Sequence, residues 1–149
     1  MDKIKTSWGG VADWYKNLLA GEGTYQKEVI LPNLLRLLEI KKGEVILDLG
    51  CGPGFFAKEF FKNGAKVIGA DIAKELVAIA KQNLPQGDFH ISSADNLKFL
   101  KDGSIDKIAI ILAIQNMENV QEVFKECGRV LKPAGKLFLV MNHPAFRVL

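Results

Sequence analysis

Seven consecutive residues, Asp48-Leu49-Gly50-Cys51-Gly52-Pro53-Gly54, carry the sharpest chemical signal in this 149-residue chain. Alternating glycines tolerate positive φ and leave no side chain between a ligand and the main chain. They follow an apolar run, 45–49, and precede a helical pattern, so a helix N-terminus with unpaired N–H groups is expected behind them. Such a turn admits a polar, partly anionic ligand at the carboxyl end of a strand. Two further acids stand after later apolar runs. Asp71 closes Lys66-Val67-Ile68-Gly69-Ala70-Asp71. A carboxylate there can accept from both hydroxyls of a ribose, and it equally suits the N-cap of a helix starting near Ala73. Asp95, in Ser92-Ser93-Ala94-Asp95-Asn96, can accept from an adenine amino group or close a local Asx turn.

These residues need a frame that brings distant turns to one edge. Residues 43–142 alternate short apolar runs with amphipathic stretches, which predicts helices on the faces of a parallel sheet. Strands are expected at 45–49, 66–71, 88–92, 106–112 and 136–141. A helix carries Ala57, Phe60, Phe61 and Gly64 on one face. Another spans 73–83, and a third is marked by Val120, Val123, Phe124, Cys127, Val130 and Leu131. The connection rules make this an α/β fold with a doubly wound, mostly parallel sheet. Residues 1–42 read as helical. Trp8, Val11, Ala12, Tyr15, Leu18 and Leu19 share one face of a first helix, and Thr24 can cap a second, kinked or restarted at Pro32.

Composition narrows the classes. The chain is 48% hydrophobic and 25% charged, with 20 Lys+Arg against 17 Asp+Glu, so it is neither a disordered chain nor a basic nucleic-acid binder by charge. Two separated cysteines make no disulfide framework, no apolar run approaches a membrane span, and the polar N-terminus lacks the apolar core of a signal peptide. A cytoplasmic protein is expected. Two histidines and two separated cysteines offer no metal-ligand spacing. His143, in Asn142-His143-Pro144, is a candidate general base at the mouth of the site; local turn chemistry explains it as well. Cys51 reads as a small residue whose backbone is used, and His90 as structural.

Two cofactor templates fit the glycine turn. Gly52-Pro53-Gly54-Phe55-Phe56-Ala57 meets the dinucleotide pattern G-x-G-x-x-G/A. Asp48-x-Gly50-x-Gly52-x-Gly54 meets the D/E-x-G-x-G-x-G of an S-adenosylmethionine site, and matches at more positions, acid included. With Gly69-Ala70-Asp71, Ser93-Ala94-Asp95, the strand at 106–112 and Val130-Leu131-Lys132-Pro133-Ala134-Gly135-Lys136 in fixed order, the chain resembles the class I S-adenosylmethionine-dependent methyltransferases of the small-molecule, methyltransferase-domain type. The resemblance covers about residues 43–142. It implies a Rossmann-like S-adenosylmethionine-binding core over 43–149 and an N-terminal helical lid over 1–42.

The resemblance also implies roles. Gly50, Cys51 and Gly52 pass under the methionine and ribose, and Asp48 sits near the amino group. Asp71 holds the ribose hydroxyls with Ile72 against the adenine, and Asp95 and Asn96 flank the adenine amino edge. Ala113 offers backbone contacts near the methionine, and Tyr15 and Tyr25 close over the cofactor. The expected reaction is methyl transfer to a small-molecule acceptor, leaving S-adenosyl-L-homocysteine. The alternatives are a non-catalytic S-adenosylmethionine-binding core and an NAD-dependent oxidoreductase. The segment Ile114-Gln115-Asn116-Met117 departs from the Asn/Asp-Pro-Pro-Tyr/Phe of enzymes that methylate nucleic-acid or glutamine nitrogens, so neither acceptor is expected. The family's last two strands have no counterpart before Leu149. The sequence therefore reads as a cofactor-binding core able to dimerise through its fifth-strand edge.

Overall fold

The computed structural model describes residues 24–142; the expected first helix with Tyr15, and His143, lie outside the described residues. Five strands form one sheet: β1 Val45–Leu49, β2 Lys66–Asp71, β3 Asp88–Ile91, β4 Ile105–Ile111 and β5 Leu131–Val140. Their order is β3-β2-β1-β4-β5, and every pairing is parallel. All carboxyl ends therefore share one edge. The chain winds outward from β1 to β3, then crosses back to β4, so the winding reverses between β1 and β4. That is where ligands enter open sheets of this kind.

Helices α1 Leu31–Leu38, α2 Phe55–Lys62 and α3 Lys74–Asn83 cover one face, and α4 Val120–Val130 the other. On the first face Leu34, Leu38, Ala57, Phe60, Val77 and Ala80 pack with Ile46, Val67 and Ala109. On the second, Val123, Cys127 and Val130 pack with Leu47, Leu49, Ile108 and Ile110, joined by Leu97 and Leu100 from the connection after β3. Alternate residues of β1 thus face opposite layers, which is why its run is apolar throughout except for one acid.

Local differences from the expectations have physical causes. Lys27 N–H donates to Thr24 Oγ1 at 3.2 Å, so Thr24 does cap. The following turn, Gln26–Ile30, is widened before α1, whose first turn holds Pro32; proline has no N–H to return to the preceding turn. Phe61 is not on the inner face of α2 with Ala57 and Phe60 but 38% exposed, because the apolar stripe turns toward the partly buried Phe56 instead. β5 begins before the Lys-Pro-Ala-Gly turn: Leu131 pairs with Ile105, and pairing resumes at Lys136 with Lys107. Residues 132–135 bulge between, since Pro133 can donate nothing to a ladder.

Candidate functional site

The turn after β1 has three positive-φ glycines, Gly50, Gly52 and Gly54. Gly50 needs both properties of glycine. Its φ is +80°, and a Cβ placed on it would stand 2.8 Å from the Cβ of Ala113 in the turn after β4. The two turns therefore meet back to back across the reversal point.

The unpaired N–H groups expected from the sequence are those of the helix behind the turn; the N–H groups of the turn itself are paired within the protein. Those of Gly50 and Cys51 both donate to Ala70 O, at 2.8 and 3.0 Å, and that of Gly54 to Cys51 O at 3.1 Å. Gly52 N–H donates to Asp71 Oδ2 at 2.9 Å. Asp71 Oδ1 accepts from Ala73 N–H, also at 2.9 Å. Asp71 thus closes an Asx-type turn two residues before Ala73, the N-cap of α3, which has no side-chain cap bond; each of its oxygens holds one backbone donor and keeps a further acceptor position. Burial pushes the Asp71 carboxyl up, against the Ala73, Gly52 and Ile72 N–H groups that stabilise its charge.

Asp48 is the one buried acid among the described residues, 2% exposed. It stands on β1 between Gly69 and Ala109 of the flanking strands. Its Oδ2 has no hydrogen-bond partner. Burial, then the neighbouring Asp71 charge, push its carboxyl from the ordinary 3.8 up to about 7, and only the Ala57 N–H in the first turn of α2 favours the charged form. A buried carboxyl of this kind invites a cationic partner.

In front of these acids lies a cleft of about 560 Å³, within the usual range of small-molecule sites. Gly50, Gly52, Asp71, Ile72, Asp95 and Ala113 all line it. Its lining contains three carboxylates, Asp71, Asp95 and Glu118, and no lysine or arginine among the described residues. The expected residues not in its wall are also clear. Asp48 is buried at the start of the turn and is not part of the wall. Cys51 turns its side chain into the core, and burial, then Asp48 and Asp71, push its thiol well above the ordinary range. Asn96 lines a neighbouring surface hollow with Asp95, Lys98 and Arg129. Tyr25 is 62% exposed, away from the cleft.

The structure adds residues that the sequence did not single out. Leu112, Met117 and Glu118 form the wall after β4, and Leu76 that of α3. Leu112 has φ +52°, and its carbonyl accepts from Gln115 Nε2 at 2.8 Å. A left-handed leucine costs about 1–2 kcal/mol, the sort of strain that accumulates at ligand sites. Nothing in a leucine at the end of an apolar run marks that conformation, and Met117 reads as core filler. Asp95 accepts from Ser93 Oγ and, at 3.1 Å, from Asn119 Nδ2; the Ser93 bond, then the Asn119 bond, hold its carboxyl below the usual range.

Together these features define a doubly wound α/β domain with an acidic cleft at its reversal point. A family profile described as a methyltransferase domain matches residues 47–139, and the chain belongs to that family of class I S-adenosylmethionine-dependent methyltransferases. It is 33% identical over 101 residues to the ubiquinone biosynthesis O-methyltransferase of Xanthomonas oryzae pv. oryzae (strain PXO99A), covering 65% of this chain and 42% of that one. The protein of the same name from Coxiella burnetii (strain Dugway 5J108-111) is 32% identical over 143 residues, 91% of this chain and 59% of its own. The crystal structure of PH0226 from Pyrococcus horikoshii OT3 superposes with a TM-score of 0.74 at 26% identity, covering 90% of this chain and 63% of that one. The chain thus spans about half the length of the curated relatives it matches. No helix among the described residues is long and apolar enough to cross a membrane.

Proposed function

We propose that the cleft binds S-adenosylmethionine and that the protein transfers its methyl group to a small-molecule acceptor. The observation that carries this reading is the sign of the cleft: three carboxylates line it with no basic side chain among the described residues, and the buried Asp48, at the start of the same turn, has an oxygen unpartnered. Such a site favours a nucleoside that brings positive charge. It disfavours a dinucleotide, whose pyrophosphate would be repelled by these carboxylates; Ala70 O and Asp71 also already take the N–H groups of Gly50, Cys51 and Gly52.

The residues present fit the cofactor's parts. Asp71 has acceptor capacity left for the ribose diol, Ile72 and Leu76 offer apolar area to the adenine, and Asp95 can accept from its amino group. Asp48 would be the charge partner of the ammonium group, and Ala113 would supply main-chain contacts beside it. When bound, the sulfonium supplies an already activated methyl group. The protein's remaining work is to hold an acceptor in line and exclude water. The strained Leu112, with Ile111 and Met117, gives that end of the cleft an apolar wall suited to an aromatic or aliphatic acceptor. The relatives named for ubiquinone biosynthesis O-methylation favour a phenolic hydroxyl. Incubation with methyl-labelled S-adenosylmethionine and a panel of substituted catechols and phenols tests the proposal. Label transferred to at least one phenol supports it. Cofactor binding without transfer to any acceptor would leave a binding module instead.

A further inference from the structure

The connection after β3 carries Asp95 to the cleft, yet residues 92–100 form no regular element. Short-range bonds tie its first half: Ser92 N–H donates to Asp71 O at 3.0 Å, and Ser92 Oγ to Asn96 O at 3.0 Å. The second half is held from α4. Leu97 N–H donates to Glu126 Oε2 at 2.7 Å. Arg129 Nη2 returns to Leu97 O at 2.8 Å, and Nη1 reaches Leu100 O at 2.9 Å. Glu126 and Arg129, one helical turn apart, are themselves joined fork to fork, Nε to Oε1 at 2.9 Å and Nη2 to Oε2 at 3.0 Å. Nη1 also meets Asp102 Oδ1 at 2.7 Å.

Side chains of one helix therefore take the Leu97 N–H and share its carbonyl with Leu100 N–H, which donates to it at 2.9 Å. Leu97 itself is fully buried under α4 with Leu100. Two residues earlier, Asp95 is fixed by Asn119, the residue before α4. One helix thus grips the segment at Asp95, Leu97 and Leu100. Arg129 spends all three of its nitrogen centres on this task, and none lines the cleft.

We propose that Arg129 and Glu126 are positioning residues for the adenine: a charged latch that sets where Asp95 meets the base, and so the protein's selectivity for adenine over other purines. The proposal rests on the S-adenosylmethionine reading of the cleft. A lysine cannot replace the arginine here, because one ammonium cannot reach two carbonyls and both oxygens of Glu126 in one plane.

The test is titration of the full chain and its Arg129→Gln variant with S-adenosylhomocysteine and S-inosylhomocysteine, in which an oxo group replaces the adenine amino group. The parent protein should prefer the adenine form. Arg129→Gln should weaken S-adenosylhomocysteine about tenfold, the scale of one lost charged hydrogen bond, and largely abolish the preference. Should that variant fold poorly, Arg129→Lys carries the test and should lie between the two. A lower melting temperature with affinity and preference unchanged would make the latch purely structural and overturn the proposal. A parent that binds S-adenosylhomocysteine but does not discriminate the bases would also overturn it, with the cofactor reading intact. A parent that binds neither overturns both.

Discussion

In the turn after β1, main chain holds mostly main chain: Ala70 O takes two N–H groups and Cys51 O a third, while two side chains join in, Asp71 accepting from Gly52 N–H and Asn83 Nδ2 donating to Pro53 O. In the segment after β3, side chains hold main chain across 29 to 32 residues of sequence. The two regions line the same cleft. The first is held by bonds to the adjacent parallel strand, its glycines admitting the positive φ that the path requires; the second is held only while Asn119, Glu126 and Arg129, at and beyond the start of a distant helix, stay in place. A cofactor's sugar and amino-acid end would thus meet a surface fixed early and locally, and its base a surface assembled by packing.

The strongest way to break the comparison is to attack the local wall. Gly50→Val adds a Cβ into Ala113 and forces a branched residue to φ +80°. We expect no measurable S-adenosylhomocysteine binding by calorimetry and a loss of stability of about 1–3 kcal/mol, read from chemical denaturation. Asp71→Ala comes next. It should weaken cofactor binding by about 1–3 kcal/mol and lower the melting temperature, because Gly52 and Ala73 lose their acceptor together. Asp95→Ala should cost less than Asp71→Ala in the same titration, since water replaces an exposed carboxylate more readily.

Asp48 sharpens the comparison through pH. Its folded-state value near 7 lies above the ordinary 3.8, so the folded protein holds a proton that the unfolded chain has released. Its contribution to stability is therefore full below about pH 4 and is lost as pH rises toward 7. Burial raises Asp71 too, in the same sense. The carboxyls of Glu44, Asp95, Asp106 and Glu126, all held low, act oppositely, and their stability is lost in acid. Asp48→Asn should flatten the decline in denaturation midpoint between pH 4 and 7. A cationic group bound beside Asp48 should also release a proton near pH 6.5, visible as buffer-dependent binding heat that the Asn variant lacks. The smallest effect expected is at Cys51. Its buried, high-pKa thiol should resist alkylation at pH 8 in the native protein and react at the unfolding rate, and Cys51→Ala should change cofactor affinity by less than about twofold.

The same contrast explains what the sequence disclosed. The strand pattern, the glycine turn and Asp71 were legible because each depends on neighbours within about 25 residues: an apolar run, a positive-φ turn, an acid at the next strand's end. Asp48 was legible as part of that motif, but its burial and unpartnered oxygen required the flanking strands. Arg129 and Glu126 were illegible as a latch, since an i,i+3 acid–base pair on a helix is an ordinary surface feature until Leu97 is placed beneath it. Leu112 and Met117 gave no sign because their roles follow from backbone direction at the end of β4, and no residue type encodes that.

The acidic character of the cleft is tested most directly by parallel calorimetric titrations of the full chain with S-adenosylhomocysteine and with NAD. Binding of S-adenosylhomocysteine at one site with no heat from NAD is the predicted result. Binding of NAD with no response to S-adenosylhomocysteine would contradict it.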